Sequence, residues 1–156
     1  MVQDSRLELK PKNNDGSLPI MRYDYNVLPK VSENIWHAQK AGWNKILTYD
    51  YVSDTVTKNV TKRRKRYENI RKSGVVYSKD SSADEYPFAS TVENAGSVWI
   101  GNVPGAEQDA QGRLIHSFYS EHGAYTYHAR HGRPFWFEVK VVNFPVDLQQ
   151  TVREGL

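Results

Sequence analysis

The chain has 156 residues, enough for one domain with a buried core. Apolar residues make up 38% and charged residues 25%, mean hydropathy is -0.71, and no apolar run is long enough for a membrane-spanning helix. The absence of cysteine excludes disulfides, thiol catalysis and thiolate zinc sites, while a net charge of +3 and a pI near 9.0 lean mildly toward polyanionic partners.

Residues 1–17, with Pro11, Asn13, Asn14, Asp15 and Gly16, read as a flexible leader, and residues 18–156 as the domain. Met1 to Lys12 is charged and lacks the apolar stretch of a signal peptide. Pro29 and Gly42 bracket a first helix, since proline suits a helix start and glycine its exit. Lys45 to Tyr49 reads as a short strand. A basic helix over residues 54–72 follows, capped by Ser53 or Asp54 and ending before Gly74. Its apolar stripe, Val56, Val60, Tyr67 and Ile70, has a gap at Arg63 and Arg64, so at least one of these arginines is expected to point toward the body of the protein. Lys62 and Lys65 are expected on the exposed side, within a patch that attracts a polyanion by releasing its counterions. A charge run of this kind is most often a solvated helix face. Val75 to Tyr77 reads as a brief strand.

Two blocks then carry acids and amides: Asp84-Glu85-Tyr86-Pro87-Phe88-Ala89-Ser90-Thr91 and Glu107-Gln108-Asp109-Ala110-Gln111-Gly112. Pro87 keeps Tyr86 extended, so alternation sends Asp84 and Glu85 to opposite faces, one toward a cleft and one away. Ser97 to Val103 reads as a strand. Over residues 106–119 the spacing predicts a helix with Glu107, Gln111, Leu114 and Phe118 on one stripe. Glu107 at its N-terminus is favoured in ionised form by the helix dipole, which suits an oxygen ligand for a hard cation such as Mg or Mn, although such a glutamate is ordinarily only a favourable end charge. His122, His128 and His131 fall in an expected loop around Gly123 and Gly132, with no ligand spacing. The last strand covers Phe135 to Val142, with Phe135, Phe137, Val139 and Val141 on one face. The fold class is therefore α+β, a single compact domain with a small, mainly antiparallel sheet flanked by helices.

The string DEYPFAST, Gly96, the strand ending in Val103-Pro104, the E-x-x-x-Q-G order of Glu107 to Gly112, and Phe118-Tyr119 resemble the NucA/NucB deoxyribonuclease family, in the branch used as toxin domains of bacterial polymorphic toxins. The likeness covers roughly residues 18–142. It departs at Ala83, where relatives commonly carry cysteine, at Ala95 in place of a first glycine, and at Gln108 in place of asparagine. The resemblance, with the order of elements from Asp84 onward, implies a core like that of ββα-metal nucleases and an endonuclease hydrolysing DNA with little sequence preference. Asp84, with Glu85 as the alternative, is expected to activate water, and Glu107 to hold a divalent metal, Mg or Mn, with Asp84 beside it. Arg63 or Arg64 is expected to neutralise charge on the phosphate, Gln111 to orient Glu107 or the phosphate, and Ser90 to donate a hydrogen bond to it. Metal-free acid–base catalysis stays open as the alternative. The resemblance further implies export within a larger effector or through a secretion system, action in the target-cell cytoplasm, and a cognate acidic immunity protein as a partner besides DNA, with no membrane and no nucleotide cofactor involved. The rival readings are a nucleic-acid-binding module of impaired activity and an interaction domain docking an acidic partner.

Overall fold

The computed structural model describes residues 10–51, 56–75 and 78–149, with the side chains of the basic helix described from Arg63 onward. Among them, β1 (Ile20–Asp24), α1 (Pro29–Lys40), β2 (Ile46–Thr48) and α2 (Val56–Ser73) precede β3 (Ser81–Tyr86). A short 3-10 helix (Val92–Ala95) leads to β4 (Trp99–Pro104), α3 (Gly105–Glu121), α4 (Ala124–His131) and β5 (Trp136–Val142). The N-cap expected at Ser53 or Asp54 and most of the expected strand from Val75 to Tyr77 lie outside the described residues.

The strands form two small sheets. In the first, β5 is central, parallel to β1 and antiparallel to β2, and Glu138 sits opposite Ile20 on one side and Ile46 on the other. Alternation works as expected along β5 and the residue before it: Phe135, Phe137, Val139 and Val141 are all buried. Removing a side chain such as Phe137 from water contributes about 1.5–3 kcal/mol. In the second sheet β3 pairs antiparallel with β4, placing Asp84 opposite Gly101, and α3 follows β4 directly. The ββα order is thus present in β3, β4 and α3.

α1 lays Val31, Ile35 and Ala38 against the core, and it packs on both sheets. Its proline at the first turn suits a position whose N–H has no helical partner. The expected loop near the histidines is instead the two-turn helix α4. Gly123 and Gly132, with φ of +68° and +64°, stand at its two ends, so residues that punctuate a loop in sequence here delimit a helix. Residues 10–17, grouped with the leader on sequence, are held on the domain by Asn13: it is buried, donates to the Trp136 carbonyl (2.8 Å) and accepts from the Trp136 N–H (2.9 Å). Among the described residues no helix is long and apolar enough to cross a membrane.

Candidate active site

A cavity of about 330 Å³ opens beside β3. Asp84 and Glu85 form one wall, the turn Phe88-Ala89-Ser90 a second, and α3 a third through Gln108, Gln111, Gly112 and Ile115; Arg66 of α2 closes the remaining side. The α3 residues recur at three- and four-residue intervals, so one helical face looks into the cavity.

Asp84 is buried, with 2% exposure, and each of its oxygens is met by an amide. Asn34 Nδ2 donates to Oδ2 at 2.9 Å, and Gln111 Nε2 donates to Oδ1 at 2.8 Å. Both amides are themselves held: Trp99 Nε1 donates to Asn34 Oδ1 (2.9 Å) and the Tyr23 hydroxyl donates to Gln111 Oε1 (2.9 Å). An indole can only donate, so the Asn34 oxygen faces Trp99 and its NH2 group faces the acid. Burial pushes the Asp84 carboxyl up to about 6, against the lowering effect of the Gln111 and Asn34 donors; the nearby Glu85 charge raises it further and Arg66 lowers it. A carboxylate titrating near 6 is suited to accepting a proton at neutral pH. Space for Asn34 depends on Gly101, where a Cβ would lie 2.0 Å from Asn34 Oδ1.

Glu85 meets Arg66, whose Nε lies 3.2 Å from Oε1, and Asn94 donates to Oε2 at 3.3 Å. The same guanidinium donates to the Ala83 carbonyl at 3.2 Å, and about two-fifths of the Arg66 side chain remains open to solvent. The expectation that one acid faces away from the cleft is corrected. Asp84 points to α1 and α3 and Glu85 to α2 and the 3-10 helix, so both faces of β3 are covered and both acids reach the cavity.

The arginine at the cavity is Arg66, whereas Arg63 and Arg64 are exposed. The inward face of α2 is Lys65, Arg66, Asn69, Ile70 and Ser73, while Tyr67, expected on the apolar stripe, is 69% exposed. A mostly polar inner face shifts the helix phase away from the one that hydrophobic spacing implied. Lys65 is tied down as well, donating to the carbonyls of Asn94 (2.8 Å) and Gly96 (3.4 Å). The Lys62 side chain lies outside the described residues.

Glu107 sits in the first turn of α3, as the spacing predicts, but it does not line the cavity. Its Oε1 accepts the backbone N–H groups of Lys30 (2.9 Å) and Val31 (3.1 Å), so it caps the first turn of α1 instead of lining the cavity. Its neighbour Gln108 takes the cavity position: Nε2 donates to the Ala83 carbonyl (2.8 Å) and Oε1 accepts from Gln111 (2.7 Å). Gln111, expected to orient Glu107 or the phosphate, orients Asp84. Ser90 lines the cavity and its Oγ is 2.7 Å from the Tyr119 hydroxyl. Tyr23, Asn34, Trp99 and Arg66 escaped the sequence reading as site residues; the one available signal was an asparagine at the centre of an apolar helix face.

No group of three or more His, Asp or Glu gathers around one point among the described residues. The donor chemistry at the cavity nonetheless fits a hard cation, because each Asp84 oxygen retains a lone pair after its single amide contact and Glu85 adds a second carboxylate. Mg-type ions commonly bind through one or two carboxylates and keep several waters. The histidines of the C-terminal half stand apart from the cavity lining, His131 against Tyr127 and His122 against Phe118.

A protein-family model described as "Deoxyribonuclease NucA/NucB" matches residues 35–126, more than half of the chain and every residue of the cavity wall. No curated protein matches the chain.

Proposed function

The chain belongs to the NucA/NucB deoxyribonuclease family, and from that footing we propose that it is an endonuclease hydrolysing DNA phosphodiester bonds at the Asp84 cavity with little sequence preference. The observation that carries the reading is Asp84 itself: a buried carboxylate, raised to about 6 and locked by two oriented amides, opening onto a cavity that also holds a guanidinium. Burying such a group is costly, and a module that only bound polyanions would gain nothing from it.

In this reading Asp84 takes the proton of the attacking water. Arg66 offsets negative charge as it builds on the phosphate, and Glu85 holds the guanidinium at its station. Gln111 and Asn34 keep the Asp84 oxygens aimed. A site of carboxylates, amides and a guanidinium addresses the phosphate, which is the same in every nucleotide, so weak sequence preference follows. Asp84 and Glu85 are the residues that would hold a Mg or Mn ion, which supplies Lewis-acid charge and lowers the pKa of bound water.

Family membership and the exposed basic side of α2, with Arg63 and Arg64 outward, support a wider proposal. The chain acts as an antibacterial effector domain, delivered within a larger protein or by a secretion system into the target-cell cytoplasm, and is neutralised by an acidic immunity protein. Growth arrest on cytoplasmic expression in bacteria, relieved by Asp84→Asn, is its test.

The activity is tested with supercoiled plasmid. The purified chain should nick and then linearise it, chelator should suppress cleavage, and added Mg or Mn should restore it; Asp84→Asn should be inactive while still folding. Cleavage by Asp84→Asn at the wild-type rate would refute the site.

A further inference from the structure

We propose that a strip of exposed aromatic rings next to the cavity, led by Tyr51 and Tyr125, stacks the unpaired bases of single-stranded DNA flanking the scissile phosphate. This rests on the nuclease reading and adds a substrate class to it.

Both ends of the strip are anchored on Ser90, which lines the cavity. The Ser90 carbonyl accepts the N–H of Asp50 at 3.0 Å, which fixes the backbone next to Tyr51. Its Oγ lies 2.7 Å from the Tyr119 hydroxyl, and the Tyr119 ring packs against Tyr125 at 5.7 Å between centroids. Inside this arrangement Tyr49 and Tyr119 are buried, as core aromatics should be, whereas Tyr51 and Tyr125 remain 43% and 42% exposed.

The exposed rings are not loose. Tyr51 lies flat on His128, with centroids 3.7 Å apart and planes within 9°. The Tyr125 hydroxyl is 2.7 Å from His116 Nδ1, and its ring stands edge-on to Tyr49. Tyr125 and His128 are three apart on α4 and so share one face of that helix. Rings held in orientation before a ligand arrives lose little entropy on binding, and every base offers them a π-face. Arg113, exposed and three residues before His116 on α3, supplies positive charge beside the strip for the strand's phosphates. Paired bases are stacked on one another inside a duplex, so the rings have a use only where the strand is single.

The test measures binding in the inactive Asp84→Asn background, by fluorescence anisotropy, of a single-stranded oligonucleotide and of the same strand built with abasic residues. The otherwise unaltered chain should prefer the base-bearing strand by about a hundredfold, and Tyr51→Leu and Tyr125→Leu should each remove about tenfold of that preference. Tyr51→Phe and Tyr125→Phe, which keep the ring, should retain it, and thermal melting checks the fold of every variant. Equal binding of the two strands, or a preference that survives both Leu substitutions, would overturn the inference. Plasmid nicking by the wild-type chain is read separately. Normal nicking without the base preference removes this inference alone, and base preference without nicking removes the nuclease reading alone.

Discussion

Tyr23 and Gln111, 88 residues apart in the chain, are joined by a 2.9 Å hydrogen bond in which the phenol donates to the amide oxygen, and this bond, together with the one from Gln111 Nε2 to Gln108 Oε1, sets which end of Gln111 faces Asp84. Replacing Tyr23 by Phe leaves Gln108 Oε1 alone to orient the amide and so weakens its hold on Asp84. The Asp84 carboxylate then loses a donor that lowers its pKa, so the acid limb of the activity profile should move toward higher pH from its position near 6. A neutral hydrogen bond is worth about 1 kcal/mol, so cleavage below pH 6 should drop severalfold while the plateau at pH 8 is kept. Superimposable pH–rate profiles for the two proteins would count against this role.

Asp84 also links stability to pH. The folded protein holds its proton up to about pH 6, whereas an unperturbed aspartate releases it near 3.8, so between these values the native state binds more protons than the unfolded chain. Stability from this group is therefore full below about pH 4, falls as pH rises to about 6, and is flat above; the change amounts to about 3 kcal/mol. Asp84→Asn should lose this pH dependence together with its activity. Urea unfolding of both proteins from pH 4 to pH 8 measures it, and a wild-type curve no steeper than that of the Asn variant would contradict the raised pKa.

The charges of α2 should separate by position. Arg66→Ala removes the guanidinium 3.2 Å from Glu85 and should lower turnover by about 100-fold, more than it lowers affinity. Arg63→Ala combined with Arg64→Ala should leave turnover intact, weaken DNA binding at all sequences, and reduce the slope of binding against salt by about one unit for each phosphate no longer neutralised. Single-turnover cleavage and salt titrations on the same proteins decide it. Equal, affinity-only losses for all three positions would remove Arg66 from the site.

Glu107 provides a contrast between capping and metal ligation. Glu107→Ala leaves two N–H groups of α1 without their acceptor and should cost about 0.5–2 kcal/mol of stability. Glu107→Gln keeps an amide oxygen to accept them and should cleave plasmid with the wild-type metal dependence. A large rise in the Mg concentration needed by Glu107→Gln would restore a ligand role.

What was legible in the sequence followed from burial patterns of one kind of residue. β5 could be read from Phe135, Phe137, Val139 and Val141 because its alternation is apolar against polar. β1 gave no such signal: it has only five residues, and its pairing with β5 is parallel and distant in sequence. Asp84 stood out as an acid in an extended segment next to apolar residues. Arg66 did not, because the face of α2 that meets the protein is largely polar and hydrophobic spacing has nothing to register there. For Glu107 the helix was read correctly and the partner was not: the carboxylate sits in the first turn of α3, as expected, but it accepts the N–H groups of α1. Only the fold brings that second helix within reach.

The close approach of Asn34 to Gly101 limits how this protein can diverge. Asn34 Oδ1 occupies the place of any Cβ there, so residues 34 and 101 share one volume and cannot both hold side chains of ordinary size. A substitution that enlarges position 101 is viable only alongside one that shrinks or removes the amide at 34, and that exchange strips Asp84 of a donor. The two positions should accordingly covary across relatives, with glycine accompanying asparagine wherever the buried acid is in use. Lineages in which both have changed are the ones in which to look for chains that keep the fold and have given up cleavage.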